Sequence, residues 1–226
     1  MGAILLLLLG CAKDTDNEPD NNGMYFVEVN VENGSEYASI VDKVCAVAGN
    51  TLNNTFEIIA EAPYGNGRFT LGLPGKVNDK LLVSLENTFN ITDIENLQIS
   101  DRTAKITEVT FYALKVKGEE SVGIIGRYSF DPTSIFSEID FPELMSLYES
   151  GVYTTTFIYA NKPVTVNGTF IDIPIQYNLT LKTGWNKCIH KITAKLVWTD
   201  EDGLKLEQTI EVVNDEPTGM KWYFVN

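Results

Sequence analysis

The chain's one histidine, His190, stands two residues from Cys188. On a strand that spacing sets both side chains on one face, about 7 Å apart. A thiol beside an imidazole is the pairing that nucleophilic hydrolysis needs. The same face, however, continues through Ile192, Ala194, Leu196 and Trp198, an apolar row that reads as core. Neighbours along one strand also seldom reach the hydrogen-bond geometry of a nucleophile and its base. Catalysis by this pair therefore ranks last among the readings, and the chain is read as non-enzymatic. Paired carboxylates of the glycosidase kind are too common in an acidic chain to point anywhere.

Metal and phosphate chemistry find no better footing. One histidine and two distant cysteines do not supply spaced zinc ligands. Asp200, Glu201 and Asp202 share a short loop, and Asp14, Asp16, Asp20 and Asn22 cluster near the N-terminus. Neither group follows the twelve-residue calcium loop with its glycine at six and glutamate at twelve. Gly65-Asn66-Gly67-Arg68 belongs to a hairpin turn by its flanking strands and is not a phosphate cradle. The expectation is no metal and no cofactor.

Aromatic rings carry the remaining binding signal. Trp185 falls in the expected turn Lys182–Asn186, Trp222 precedes Tyr223 and Phe224, and Tyr153 and Tyr159 flank a threonine-rich stretch. Exposed flat rings suit the C–H faces of sugars, and exposed aromatic patches mark recognition surfaces. Trp185, Trp222 and Tyr159 are the candidate ligand-binding residues. The competing reading makes the same rings the plugs of a core, and for Trp198 and Trp222 that reading is preferred, while Trp185 stands open between the two.

The elements that must position these residues are strands. Tyr25, Val27, Val29 and Val31 alternate with polar residues, as do Phe69, Leu71 and Leu73. Phe56, Ile58, Ala60 and Ala62 form another period-2 row, expected to be one buried face. Lys105–Val116 reads as a long strand with a hairpin partner at Val122–Phe130. Ile171 to Leu181 carries apolar residues at every odd position, and the Cys188 strand pairs with Leu204–Val213 across an Asp-Gly turn. Lys221–Val225 is a last strand. Only 134–149 looks helical, broken at Pro142. This predicts an all-β protein, an antiparallel β-sandwich with one short helical segment. Two lobes, 24–117 and 118–226, are the expected division, with a single large sandwich as the alternative.

The address is written at the N-terminus. Residues 1–11 run Met-Gly-Ala-Ile, five leucines, Gly10 and Cys11. That is too short for a bilayer span of roughly 20 residues and has the shape of a secretory h-region ending in a lipobox. Cys11 would be the lipidated N-terminus after cleavage. No Lys or Arg precedes it, so either the true start lies upstream or the segment is a leftover apolar stretch. Residues 12–23 are acidic and nearly free of apolar side chains, a composition that does not order and serves as a tether. The formal charge of −14 repels nucleic acid and anionic lipid. Contact with a membrane would come through the lipid on Cys11. Cys45 and Cys188 either pair, as an oxidising compartment allows, or stay as two buried small side chains.

Three stretches carry a family resemblance. The acids directly after Cys11 resemble the export signal of surface lipoproteins in Bacteroidota. Residues 40–74, with IVDKVCAVAG and then FEIIAEAPYGNGRFTLGLP, resemble the transthyretin-like and immunoglobulin-like sandwich modules of bacterial surface proteins. YANKPVTVNGTF, YNLTLKTGWNKC and the terminal KWYFVN are similar to an arrangement found in Bacteroidota lipoproteins. The resemblance implies location and fold: an outer-membrane, lipid-anchored, surface-exposed β-sandwich. The function expected is non-catalytic binding of a glycan or of an envelope protein. The alternative is a fimbrillin-like structural or adhesin subunit, in which an arginine near the first strand is a cleavage point. Arg68, Arg102 and Arg127 do not match that position.

Overall fold

The apolar residues of β1 (Tyr25–Asn30) alternate because one face of the strand is buried, and Tyr25, Val27 and Val29 are all buried. The same alternation organises the rest of the computed structural model, which describes residues 23–88, 97–115, 121–133, 141–170, 175–199, 203–213 and 216–225. The strands that follow are β2 (Val41–Asn50), β3 (Thr55–Pro63), β4 (Arg68–Leu73), β5 (Val83–Ser84), β6 (Leu97–Ile99) and β7 (Lys105–Lys115). Then come β8 (Ser121–Tyr128), β9 (Val152–Ala160), β10 (Val164–Phe170), β11 (Ile175–Leu181), β12 (Gly184–Thr199), β13 (Gly203–Val213) and β14 (Lys221–Val225). The helices are one turn, α1 (Leu85–Thr88), and α2 (Phe141–Ser150). The protein is all-β, with sheets packed in an open, sandwich-like arrangement.

β1 and β4 form a two-stranded sheet. Its hairpin neighbour turn, Gly65–Arg68, holds Asn66 and Gly67 at positive φ, as a tight hairpin requires. The remaining strands form a twelve-stranded sheet in the order β3-β2-β7-β8-β9-β12-β13-β11-β10-β6, with β14 on β8 and β5 on β7. Strands from both sides of Gly118 share this sheet. Two buried clusters pack against it. The first lies between the β1–β4 pair and the residues Val44, Ala46, Val109, Phe111, Ile125 and Phe224 of the large sheet. The second gathers Leu97, Val164, Val166, Leu179, Leu181 and Cys188. β9 serves both: Phe157 and Tyr159 enter the first cluster, Ile158 and Ala160 the second.

Three local expectations are corrected. Phe56 and Ile58 lie on an exposed face, at 53% and 52% exposure, because the β2–β3 register shifts between Ala46 and Val47. That bulge turns the strand past it to the other side of the sheet. The described part of the helical segment is α2, and Pro142 sits second in it rather than interrupting it, a position where the missing N–H costs nothing. Residues 134–140 lie outside the described residues, as do Ile171 and Ile173, the Asp200–Asp202 loop, Cys11, the acidic tether and the Trp198 side chain. Finally, Lys182–Asn186 is not wholly a turn, because β12 already begins at Gly184.

The Asn33 side chain helps tie the first strand region to the last. Asn33 donates from Nδ2 to the Phe224 carbonyl at 3.0 Å and accepts from the Phe224 N–H at 2.9 Å. Phe224 itself is fully buried and stacks on Tyr37 at 3.9 Å. We expect Asn33→Ala to orphan two backbone groups and lower stability by about 1–3 kcal/mol, read as a shift in the urea midpoint at unchanged slope. A loss under about 0.5 kcal/mol would show that water replaces the clamp.

Candidate functional site: a groove along the first strand

The three aromatic candidates are brought to the same core, and two of them to each other. Trp185 and Tyr159 are register partners on β12 and β9, and their rings meet edge to face at 5.4 Å. The Trp185 indole N–H donates to the Pro74 carbonyl at 2.9 Å, which satisfies its polar end. Trp222 stacks nearly parallel on Phe157, centroids 6.2 Å apart, and meets Phe111 at 5.9 Å. All three are buried, at 8%, 6% and 7% exposure, so none presents an open ring face to solvent. Of the three, Trp222 borders the groove described next.

That groove, about 560 Å³, runs the length of β1. Residues Tyr25 to Asn30 form one wall; Arg68, Phe69 and Thr70 of β4 continue it; Arg127, Phe157 and Trp222 form the floor. β1 pairs with β4 on one side only, and no other strand of the described residues pairs along it. One end is closed where Val31 bridges Trp222 and the Glu32 N–H donates to the Trp222 carbonyl at 2.8 Å. At the rim the Arg68 Nε–H donates to the Asn30 carboxamide oxygen at 2.9 Å.

The floor holds one charged side chain, Arg127. Arg127 is the register partner of Trp222, with its guanidinium carbon 6.0 Å from the indole centroid. It contacts Glu216 at 2.8 Å, and Lys187 of β12 binds the other oxygen of the same carboxylate. All three side chains are 10–15% exposed. Arg127 and Lys187 thus share the Glu216 carboxylate in a nearly dry setting. Sequence reasoning passed over Arg68, Arg127, Lys187 and Glu216. A signal was present for Arg127: it follows Ile125 at period two, so a charge stands where the strand's pattern calls for an inward apolar side chain.

The Cys188–His190 pair is placed for packing. Cys188 is fully buried in the second core. Burial, helped by the Glu108 carboxylate nearby, pushes its thiol up to about 12. Burial likewise lowers the His190 pKa. A thiol so raised holds almost no thiolate at neutral pH. Cys45 and Cys188 are both free and buried, and the Cys45 S–H donates to Glu61 at 3.3 Å. Among the described residues no three His, Cys, Asp or Glu side chains converge as a metal site, and no helix is long and apolar enough to cross a membrane. No known family model, curated protein or solved structure matches the chain.

Two outcomes test these placements. Trp185→Ala should cost about 3–5 kcal/mol of stability by cavity formation, whereas Trp185→Phe should cost less because most of the ring remains. Cys45 and Cys188 should resist iodoacetamide at pH 8 in the native protein and react in urea. Rapid native alkylation of Cys188 would restore it as a candidate nucleophile.

Proposed function

We propose that this chain is a lipid-anchored protein of the outer-membrane surface that binds a glycan, without catalysis, in the groove along β1. The observation that carries the reading is the composition of that groove. Its lining combines the aromatic residues Tyr25, Phe69, Phe157 and Trp222 with the polar residues Glu28, Asn30, Arg68 and Thr70. A sugar presents that same mixture, apolar C–H faces beside a ring of hydroxyls. An open cleft of several hundred cubic ångström suits a few sugar units. The lipobox cysteine at Cys11 and the acidic tether after it support the address.

A second reading, a structural subunit built by strand donation, is favoured by one observation: beside a groove, β1 pairs along its length with β4 and with no other strand among the described residues. An extended segment could add to that edge by main-chain hydrogen bonds. Such a protein would form ladders in unboiled gels of native envelope, while a purely monomeric population removes this reading.

The test of the main reading uses the chain carrying Cys11→Ala, screened against neutral and uronic-acid polysaccharides by affinity electrophoresis and thermal shift. Retardation by one class is expected. Arg68→Ala should then weaken binding about tenfold or more, the worth of a charge-assisted hydrogen bond, with an unchanged melting temperature. Silence across the panel overturns the glycan reading. On intact cells, palmitate labelling lost in Cys11→Ala and cleavage by added protease test the anchor and the surface address.

A further inference from the structure

A second groove lies away from the first, on the face of β2, β3 and β7 that the bulge at Ala46/Val47 creates. It encloses about 310 Å³, and its apolar walls are Val47, Leu52, Phe56, Val83, Ile106 and Tyr112. Phe56 and Leu52 are 53% and 61% exposed, large apolar side chains kept in water. The Phe56 wall is built in: its ring lies flat on Gly49, where an added Cβ would fall 2.1 Å from the ring.

One carboxylate stands in this apolar setting. Glu108 lines the groove and is an exposed position on β7, opposite Ile158 in register. The neighbouring acids are each held by a lysine: Glu57 by Lys80, Glu61 by Lys43 and Asp79 by Lys105. Glu108 has no cation and no hydrogen-bond donor on its carboxylate among the described residues. The surrounding protein desolvates it and raises its carboxyl above the usual range, with no opposing charge to lower it. Its charge in turn raises Tyr177 and Cys188. A carboxylate left uncompensated beside exposed aromatic and aliphatic side chains lacks only its counter-ion.

We propose that this groove binds a small organic ammonium ion, with its charged nitrogen on Glu108 and its apolar body against Phe56, Leu52, Val47, Ile106 and Tyr112. Charge complementarity selects the occupant. A cation is drawn to a protein of charge −14, and a primary ammonium carries three donors for the carboxylate. The volume lies at the small end of ligand pockets, which fits one ring or a short alkyl chain. A second copy of this chain would bring further negative charge and would leave Glu108 uncompensated. The site is independent of the groove along β1.

The experiment titrates the Cys11→Ala chain with phenethylammonium chloride, using 2-phenylethanol as the neutral analogue and phenylacetate as the anionic one, read by calorimetry and amide chemical shifts. The ammonium should bind saturably, about tenfold or more tighter than the alcohol, and the anion should not bind. Glu108→Gln should abolish that preference while unfolding at the same or a higher temperature, because it removes a carboxylate that desolvation penalises. Phe56→Ala should weaken the ammonium and the alcohol alike. Equal affinity for all three compounds, or an ammonium preference that survives Glu108→Gln, overturns the proposal. A concentration-dependent dimer in sedimentation that Phe56→Ala dissolves also overturns it, by assigning the face to a second copy.

Discussion

β9 has no solvent face where it matters most. Phe157, Ile158, Tyr159 and Ala160 are buried one after another, with odd residues in one core and even residues in the other. A slip of one residue would exchange the two sets and empty both cores at once. The strand's register is fixed by nine successive partners on β12, from Val152 opposite Ile192 to Ala160 opposite Gly184. β7 and β8 then divide around it, β7 pairing with Thr107 to Tyr159 and β8 with Arg127 to Thr155. Because β9 is shared, the position of Phe157 decides where the stack with Trp222 forms. That stack sets the floor of the β1 groove.

The placement of charge follows from the same sheet. Glu57 and Glu61 of β3 each contact a lysine directly at the surface, where an ion pair contributes at most about 1 kcal/mol. Arg127, Lys187 and Glu216 differ, because they are packed where the first core opens to the groove. Withdrawing Glu216 takes the shared carboxylate from two nearly buried cations, a larger loss than that of a surface pair. Such a cluster is costly to keep for stability alone, since well-packed apolar side chains would do as well. Its presence beside the groove fits a role in holding polar ligand groups.

Much of this architecture was legible in the sequence, because period-2 patterning reports one buried face. Tyr25, Val27 and Val29, or Phe69, Leu71 and Leu73, are buried as their alternation requires. The Gly65–Arg68 turn and the β12–β13 hairpin also lie where turn chemistry puts them. Patterning failed where the rule changes within a strand. The bulge at Ala46/Val47 inverts β3 halfway, so Phe56 and Ile58 look like core and are surface. Trp185 stood open between a binding ring and a core plug because Lys182–Asn186 suggests a turn; Gly184 adopts φ +95 at the strand's first residue, so the strand has already begun and Trp185 is core. The continuous run Phe157–Ala160 carried the opposite signal, since a strand buried on both faces does not alternate. No local pattern could have brought Arg68, Arg127 and Trp222 together, since their meeting depends on pairing between strands far apart in sequence.

The bulge also explains why the two grooves differ in kind. Along β1 the sandwich opens at its own edge, so the cleft inherits core aromatics and the cations that cap them. On the other face of β2 and β3, Leu52, Phe56 and Ile58 are large apolar side chains that stand in water. Removing Phe56, Ile58 and Leu52 from solvent would each contribute roughly 25 cal/mol per Å² of apolar area covered. An unfilled surface of that kind favours association, and the unpaired Glu108 decides its sign. A protein that needed only to fold would gain by placing polar residues at Phe56 and Leu52 and a neutral one at Glu108. That three adjoining positions all run against stability, in the same groove, argues that the face is kept for contact rather than for the fold.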